Sequence, residues 1–196
     1  MKTTILKLTL LSLALFFASS CSKSDDPAPL PVYGEENPYQ TYLTSAGFTL
    51  VQNFLNAGDY EFGLKFKPKV NGKINKLVVK IPDNQTNLRV TLWDASVTPK
   101  VVIATEVIYS VAAGVETTKS ISPIALSANK EYMLTMNAND WYKKYKSSGS
   151  ATYPIDAGNI SITGYAWISG TAQTYPTNVD NTYNAGDLSF VFQQTN

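Results

Sequence analysis

Strict alternation of apolar and polar side chains is the feature that most restricts the fold of this chain. Over residues 60–67, aromatic or aliphatic residues occupy every second position, and Glu, Gly or Lys residues occupy the positions between them. Because successive side chains of a β-strand point to opposite faces, this pattern predicts a half-buried strand. Further segments with strand character follow it along the chain: 74–81, 88–93, 101–109, 117–124, 131–136, 159–168 and 188–192.

About nine short strands separated by turn residues, without a convincing helix, predict an all-β fold. We expect an antiparallel β-sandwich, jelly-roll-like or Ig-like, because these architectures are built from many short strands. Residues 39–196 give room for a single domain of this kind. Asn71-Gly72, after the first alternating segment, predicts a hairpin turn. Residues 52–56 could form one short helical turn, although nothing caps it.

The first 20 residues have the layout of an export signal. Lys2 and Lys7 precede an apolar run over residues 8–17, which is too short for a spanning helix, and small residues then lead into Cys21. The segment resembles the bacterial lipoprotein signal, which implies that residues 1–20 are a signal peptide and that Cys21 becomes the acylated N-terminus. We expect Cys21 to carry palmitate or similar fatty acids, because two or more acyl chains anchor a protein stably.

Residues 21–38 contain four prolines and little that can pack, so we expect an acylated, Pro-rich tether before the domain. Residues 22–26, Ser-Lys-Ser-Asp-Asp, resemble the short export signal that sends lipoproteins to the exterior in some Gram-negative bacteria. This resemblance implies a lipid anchor in the outer membrane and a domain that faces the cell exterior. A periplasm-facing domain on an acidic, solvated linker is the alternative.

The composition excludes several classes of function. The chain has no histidine, which excludes Ser-His-Asp and Cys-His catalysis and His-ligated zinc. Sixteen basic residues against 15 acidic ones give a formal net charge of +1, which excludes a nucleic-acid partner held by bulk charge. The lysines between residues 65 and 80 favour a solvated sheet face over a face for anionic glycans.

Four short motifs carry a resemblance to a known kind of domain. They are Phe62-Gly63-Leu64-Lys65-Phe66, Gly72-Lys73-Ile74, Val90-Thr91-Leu92-Trp93-Asp94 and the segment 126–132. In this order, over residues 60–137, the chain resembles secreted bacterial β-sandwich domains that are catalogued as domains of unknown function. Related domains accompany carbohydrate-active modules in extracellular proteins, so the resemblance implies contact with polysaccharide.

Aromatic residues are dense between residues 141 and 183, where charged side chains become sparse. Aromatic faces can receive the C–H patches of sugars, and short polar side chains bond to sugar hydroxyls, so this segment predicts a glycan-binding site. We expect residues 141–145, which follow an Asn-Ala-Asn-Asp turn, to form an exposed loop. The candidate contacts are Trp141, Tyr142, Tyr145, Trp167, Tyr175, Asn139 and Asp140. Packing of these rings in the sheets is the alternative, which the i, i+2 spacing of Tyr165 and Trp167 favours there.

The carboxylates are weaker candidates for a site. A structural Ca²⁺ could use the oxygens of Asp83, Asp140, Asp180 or Asp187, but none follows an EF-hand spacing and turns also prefer aspartate. We expect no other cofactor. A glycosidase needs two carboxyl groups roughly 5–10 Å apart, and the sequence has no paired motif that would supply them. An enzyme is therefore not expected.

These patterns predict a lipid-anchored surface protein that binds extracellular glycan through loop aromatics. The alternative is a non-catalytic structural or interaction lipoprotein of the outer membrane, which would dock a partner protein at an exposed sheet edge or loop. A hydrolase is the third hypothesis.

Overall fold

The structure is a computed structural model that describes residues 31–196. Within these residues there are one short helix and fourteen strands, and the strands form three antiparallel sheets. Helix α1 spans Tyr39–Ala46. The strands are β1 (Glu35–Glu36), β2 (Leu50–Phe54), β3 (Tyr60–Pro68), β4 (Gly72–Lys80), β5 (Gln85–Asp94), β6 (Val101–Val111), β7 (Thr117–Leu126), β8 (Tyr132–Ala138), β9 (Trp141–Tyr145), β10 (Ile155–Ala157), β11 (Ile160–Ser169), β12 (Asn178–Asp180), β13 (Tyr183–Ala185) and β14 (Asp187–Gln194).

Two larger sheets pack against each other. The four-stranded sheet has the order β1-β14-β4-β7, and the seven-stranded sheet has the order β10-β11-β3-β8-β5-β6 with β12 beside β11. The third sheet has the order β13-β9-β2. The predicted all-β, antiparallel sandwich is therefore confirmed.

Strand β3 shows how the alternating pattern builds the core. Its side chains Phe62, Leu64 and Phe66 are buried between the sheets. The ring of Phe66 lies 4.5 Å, centroid to centroid, from that of Phe190 in β14, so the seven-stranded and four-stranded sheets meet there. Tyr132 of β8 stacks on Phe66 at 5.7 Å. Each such apolar side chain stabilises the fold by roughly 1.5–3 kcal/mol through its removal from water.

Every segment that the alternating pattern predicted as a strand is a strand in the structure, with ends displaced by no more than three residues. The possible short helical turn at residues 52–56 is not what the structure contains. Gln52, Asn53 and Phe54 belong to β2, because their backbones pair with Lys143, Tyr142 and Trp141 of β9.

Helix α1 is the element that the sequence analysis missed. It begins after Pro38 without a side-chain cap and has no acidic residue in its first turn, so the usual N-terminal signals are absent. The signal that was available is the spacing of Tyr42, Leu43 and Ala46, which are all buried. Gly47, with a φ of 76°, ends the helix in the left-handed conformation that glycine adopts without strain.

The hairpin predicted at Asn71-Gly72 is also wrong. Strands β3 and β4 lie in different sheets, so the chain passes from one sheet to the other instead of folding back. Neither residue has the positive φ that a type I′ turn requires. A Cβ atom at position 72 would overlap the ring of Phe192, so glycine serves close packing here and not turn geometry.

The folded part of the chain begins before residue 39. Glu35 and Glu36 form β1, which pairs with Gln193 and Phe192 of β14. The last residues of the predicted tether, which was expected to extend to residue 38, therefore belong to the sandwich. The predicted signal peptide over 1–20, the acylated Cys21 and the tether up to residue 30 lie outside the described residues. Among helices of the described part, none has the length and apolar character to cross a bilayer.

Candidate functional site

An aromatic cleft of about 220 Å³ opens where the seven-stranded sheet meets the three-stranded sheet. Strands β3 and β11 form one wall, and β2, β9 and β13 form the other. Its lining residues are Phe54, Tyr60, Phe62, Trp141, Lys143, Tyr165, Trp167, Tyr183 and Ala185.

Strand register brings these distant residues together. On the first wall, Trp167 of β11 lies opposite Phe62 of β3, so both rings are on the inner face of the sheet. On the second wall, β9 directs Trp141 and Lys143 to one face, two positions apart, and pairs Lys143 with Ala185 of β13. The cleft is thus a product of sheet pairing between segments that are far apart in the chain.

Trp141 forms the floor of the cleft. Its side chain is only 7% exposed, and the ring of Phe54 stacks on it at 5.3 Å with an interplanar angle of 7°. Tyr60 approaches it edge-on at 4.9 Å, and Phe62 lies 5.0 Å away. Because these rings surround the indole, Trp141 fixes the shape of the cleft and offers little free surface.

The mouth of the cleft is formed by half-buried side chains. The rings of Tyr60 and Trp167 lie 5.7 Å apart in an edge-to-face arrangement. Across from them, the ammonium of Lys143 lies 4.1 Å from the ring centroid of Tyr183. Burial raises the pKa of Tyr183 to about 12, and its neutral hydroxyl is a group that can donate a hydrogen bond.

The expectation that residues 141–145 form an exposed loop is wrong, because they are the central strand of the three-stranded sheet. Trp141 is consequently buried. Tyr142, one position on, points to the opposite face, where its ring lies 5.8 Å from the amine of Lys80. Tyr145 pairs with Tyr183 at the end of the strand and is not among the residues that line the cleft.

Tyr175 lies on the other side of the seven-stranded sheet. Its ring meets the edge of Trp93 at 5.7 Å, and burial raises its pKa to about 12. Trp93 in turn donates a hydrogen bond from Nε1 to the Thr135 hydroxyl. Of the predicted aromatic contacts, the structure therefore brings Trp141 and Trp167 into the cleft lining, and Tyr142, Tyr145 and Tyr175 are not part of that lining.

The predicted polar contacts Asn139 and Asp140 hold a backbone turn. The Asn139 carbonyl accepts a hydrogen bond from the amide of Ala57, at 3.1 Å. The Asp140 carboxylate is 4% exposed and accepts one from the amide of Asn56, at 2.6 Å. These oxygens are used in joining β2 to β3 and do not line the cleft.

The predicted calcium ligands are engaged separately. Asp83 accepts a hydrogen bond from the Asn84 amide, and Asp180 accepts two from Thr182. Within the described residues, no cluster of three or more acidic, Cys or His side chains is arranged to hold a metal ion.

Asp187, the remaining predicted calcium ligand, belongs to an internal polar cluster. It pairs with the amine of Lys144 at 3.2 Å and accepts a hydrogen bond from the Tyr39 hydroxyl at 2.9 Å. Burial raises the pKa of Asp187, although Lys144 and Tyr39 act in the opposite direction. Because Tyr39 belongs to α1, this cluster fastens the helix to β14.

Only Trp141 and Trp167 of the lining residues were candidate contacts, so the sequence analysis missed the others, among them Phe54, Tyr60, Lys143 and Tyr183. Phe54 and Tyr60 lie some 80 residues before Trp141 in the sequence, so only sheet pairing brings them to it. A signal for Lys143 was available, because residues two apart on a strand share a face and Trp141 was already a candidate.

The geometry defines a β-sandwich with an aromatic cleft at the border of two sheets. The family model for the domain of unknown function DUF4082 matches residues 49–187, which is more than half of the chain. The protein belongs to this family. A comparison with curated proteins gave no match.

Proposed function

We propose that this protein binds one sugar ring of an extracellular glycan in the aromatic cleft, without catalysis. The observation that carries the proposal is the half-buried state of Tyr60, Trp167 and Tyr183 around an open volume. Amphipathic rings with few rotatable bonds supply contact area at low entropic cost, and sugar C–H groups pack on such faces. A single exposed aromatic residue would not support this function, whereas several aromatic side chains around one cleft do.

The size of the cleft favours a small occupant. Its volume of about 220 Å³ is smaller than the roughly 300–1,000 Å³ of sites that enclose drug-sized ligands. A single ring, such as a terminal sugar or one unit of a chain that continues into solvent, suits that volume. An extended oligosaccharide would need additional surface outside the cleft.

The chemistry of the lining favours binding over hydrolysis. Glycosidases use two carboxyl groups roughly 5–10 Å apart. Among the described residues that line the cleft there is no Asp or Glu, and the polar groups there are tyrosine hydroxyls, the indole N–H of tryptophan and one lysine. These groups donate hydrogen bonds to hydroxyls but provide no acid and nucleophile pair.

The proposal includes the location of the protein. Acylation of Cys21, with palmitate among the fatty acids, would anchor the domain in the outer membrane, facing the cell exterior where polysaccharide is met. Labelled palmitate should enter the wild-type protein and not Cys21→Ala, and surface protease should remove the domain from intact cells. Protection from protease would indicate the periplasm-facing alternative.

Affinity electrophoresis in polysaccharide gels, after a glycan array has chosen the polysaccharide, tests the binding site. Trp167→Ala and Tyr183→Ala should each weaken retention by about tenfold or more, which is about 1.4 kcal/mol. Tyr109→Ala is the matched control, because Tyr109 is 75% exposed on β6 and does not line the cleft. The proposal would be refuted if Trp167→Ala and Tyr183→Ala were retained as strongly as Tyr109→Ala. It would also be refuted if no glycan retained the wild type.

The edge strand β6 supports a second candidate function, docking of a partner protein by strand addition. It is 11 residues long and pairs, within the described chain, with β5 on one side alone. Val101, Val102 and Ile103 are 40–51% exposed on it, whereas edge strands are usually protected by lysine or proline.

This candidate predicts that one protein is recovered with the wild type in stoichiometric amount from an outer-membrane extract. Ile103→Lys should abolish that recovery, because a charge at a free edge opposes strand addition. Thr118→Lys on β7, an edge strand of the four-stranded sheet, is the control and should leave the recovery unchanged. Recovery that is unaffected by Ile103→Lys would exclude β6 as the docking edge.

A further inference from the structure

Lys143 is the one charged side chain among the described residues that line the aromatic cleft. Its ammonium lies over the ring of Tyr183 at 4.1 Å and at 6.0 Å from the ring centroid of Tyr145. No carboxylate of the described residues lies within 4.0 Å of it. A cation is thus held at the cleft wall by aromatic faces alone.

The neighbouring lysine shows that the fold distinguishes the two positions. Lys144, one residue along β9, points to the opposite face and pairs with Asp187 at 3.2 Å. Lys76 of β4 likewise pairs with Glu35 at 2.6 Å, and Lys119 of β7 pairs with Glu106. Lys143 therefore differs from Lys144 in having no acidic partner within 4.0 Å among the described residues.

We propose that the cleft is selective for an acidic sugar, and that the Lys143 ammonium binds the sugar carboxylate. This inference rests on the proposed glycan-binding function and names the ligand class of the same site. A hydrogen bond from an ammonium to a carboxylate is roughly twice as strong as a bond between neutral groups. The aromatic walls lower the local dielectric constant around the ammonium, which strengthens its attraction for an anion.

The acidic residue that acts on this wall does not prevent such binding. Burial is the largest cause of the raised pKa of Tyr183, and the charge of Asp180 is the second, so Asp180 lies near the phenol end of that ring. One oxygen of Asp180 already accepts hydrogen bonds from the amide and the hydroxyl of Thr182, at 2.7 and 2.6 Å. Lys143 contacts the face of the Tyr183 ring, so its ammonium remains available to an anion.

Matched pairs of polysaccharides test the inference. Each pair has the same sugar ring and differs in charge: polygalacturonate with its methyl ester, and glucuronan and alginate each with its carboxyl-reduced form. For at least one pair, we expect the wild type to bind the acidic member about tenfold more tightly, a preference that falls as salt concentration rises. Equal or tighter binding of the neutral members would overturn the inference and leave the proposed function intact. No binding of any glycan would overturn both.

Variants of Lys143 separate charge from shape. Lys143→Gln should lose the preference for the acidic member, and Lys143→Arg should restore the preference. Lys73→Gln is the matched control, since Lys73 lies on β4 outside the cleft and has no carboxylate within 4.0 Å among the described residues. A preference for acidic sugar that survives Lys143→Gln, or that Lys73→Gln removes equally, would overturn the assignment.

Discussion

The two faces of the seven-stranded sheet carry similar aromatic side chains in different surroundings. On the inner face, Tyr60 and Trp167 border the open cleft. On the outer face, Trp93 and Tyr175 pack edge to face, and Gln173 of the same loop donates hydrogen bonds to threonines of the sheet. The outer aromatics are closed over by a loop, whereas the inner ones lie at the border of a second sheet that leaves a gap.

Polar groups follow the same division. On the outer face, the carboxylate of Glu61 is fully buried, bonded to Arg89 at 2.7 Å and to the Thr135 hydroxyl at 2.6 Å. In the cleft, the charged group is Lys143, which has no acidic partner among the described residues. The outer network therefore pairs its own charges and stabilises the fold, whereas the charge of Lys143 in the cleft is available to the acidic sugar that we propose as the ligand.

The largest expected effect is on the outer face. Arg89→Met leaves the buried Glu61 carboxylate without its cation, and breaking a buried pair in this way costs about 3–5 kcal/mol of unfolding free energy. Urea denaturation measures the loss. Lys69→Met is the control, because its partner Asp156 is 64% exposed and such pairs contribute about 0–1 kcal/mol. Similar losses in the two variants would contradict the buried network.

The two tryptophans of the cleft should differ in the kind of effect they have. Trp141→Ala removes the buried floor and should lower the free energy of unfolding by about 3–5 kcal/mol. Trp167→Ala, at the half-buried mouth, should cost less stability while it weakens glycan retention at a temperature where both proteins are folded. Denaturation and affinity electrophoresis on the same samples separate the effects, and a larger stability loss for Trp167→Ala would reverse the roles of floor and mouth.

The alternating pattern predicted the strands and the inner face of the sheet, but it could not predict what covers the outer face. Glu61 stands at a polar position of the pattern, where exposure to solvent is the ordinary expectation. In the structure it is fully buried and bonded to Arg89 and Thr135, and the loop that contains Gln173 is hydrogen-bonded to Thr91 on the same sheet. A covering loop is a tertiary contact, and the period of a strand carries no information about it.

Only part of the cleft could be predicted from the sequence, because it too depends on tertiary contacts. Trp141 and Trp167 were candidates from their residue type, yet Tyr60 and Phe54 join them through pairing of strands that are distant in the chain. The assumption of a loop at residues 141–145 failed because two short strands, β2 and β13, flank this segment and satisfy its backbone. Such short strands leave little periodic pattern to detect.

A smaller effect is expected from the loop that covers the outer face. Gln173→Ala removes the hydrogen bonds to the hydroxyls of Thr91 and Thr105, at 3.0 and 2.6 Å. We expect a loss of about 1 kcal/mol, since a net hydrogen bond contributes roughly 0.5–1.5 kcal/mol. Thermal unfolding measures it, and glycan retention should not change. Weaker retention in Gln173→Ala would mean that the outer face takes part in binding.

The smallest expected effect is a change in stability at alkaline pH, which allows Tyr175 and Tyr183 to be compared directly. Burial raises the pKa of Tyr175 and of Tyr183 from the ordinary 10.0 to about 12. Between these values the unfolded chain releases the phenol proton and the folded chain keeps it, so the unfolding free energy falls as pH rises from about 10 to 12. Replacement by Phe removes the titrating group and with it that share of the fall.

Tyr175→Phe isolates this effect most cleanly. The Tyr175 hydroxyl is buried without a hydrogen-bond partner among the described residues, so its removal should leave stability at neutral pH unchanged. Above about pH 10 the variant should become more stable than the wild type, because ionisation of the Tyr175 phenol in the unfolded wild-type chain, which favours unfolding, no longer occurs. Tyr183→Phe should share the alkaline gain but weaken glycan retention at neutral pH, since its hydroxyl lies at the cleft. Urea denaturation across this pH range decides it: an unchanged alkaline slope in both variants would show that neither ring is buried enough to hold its proton.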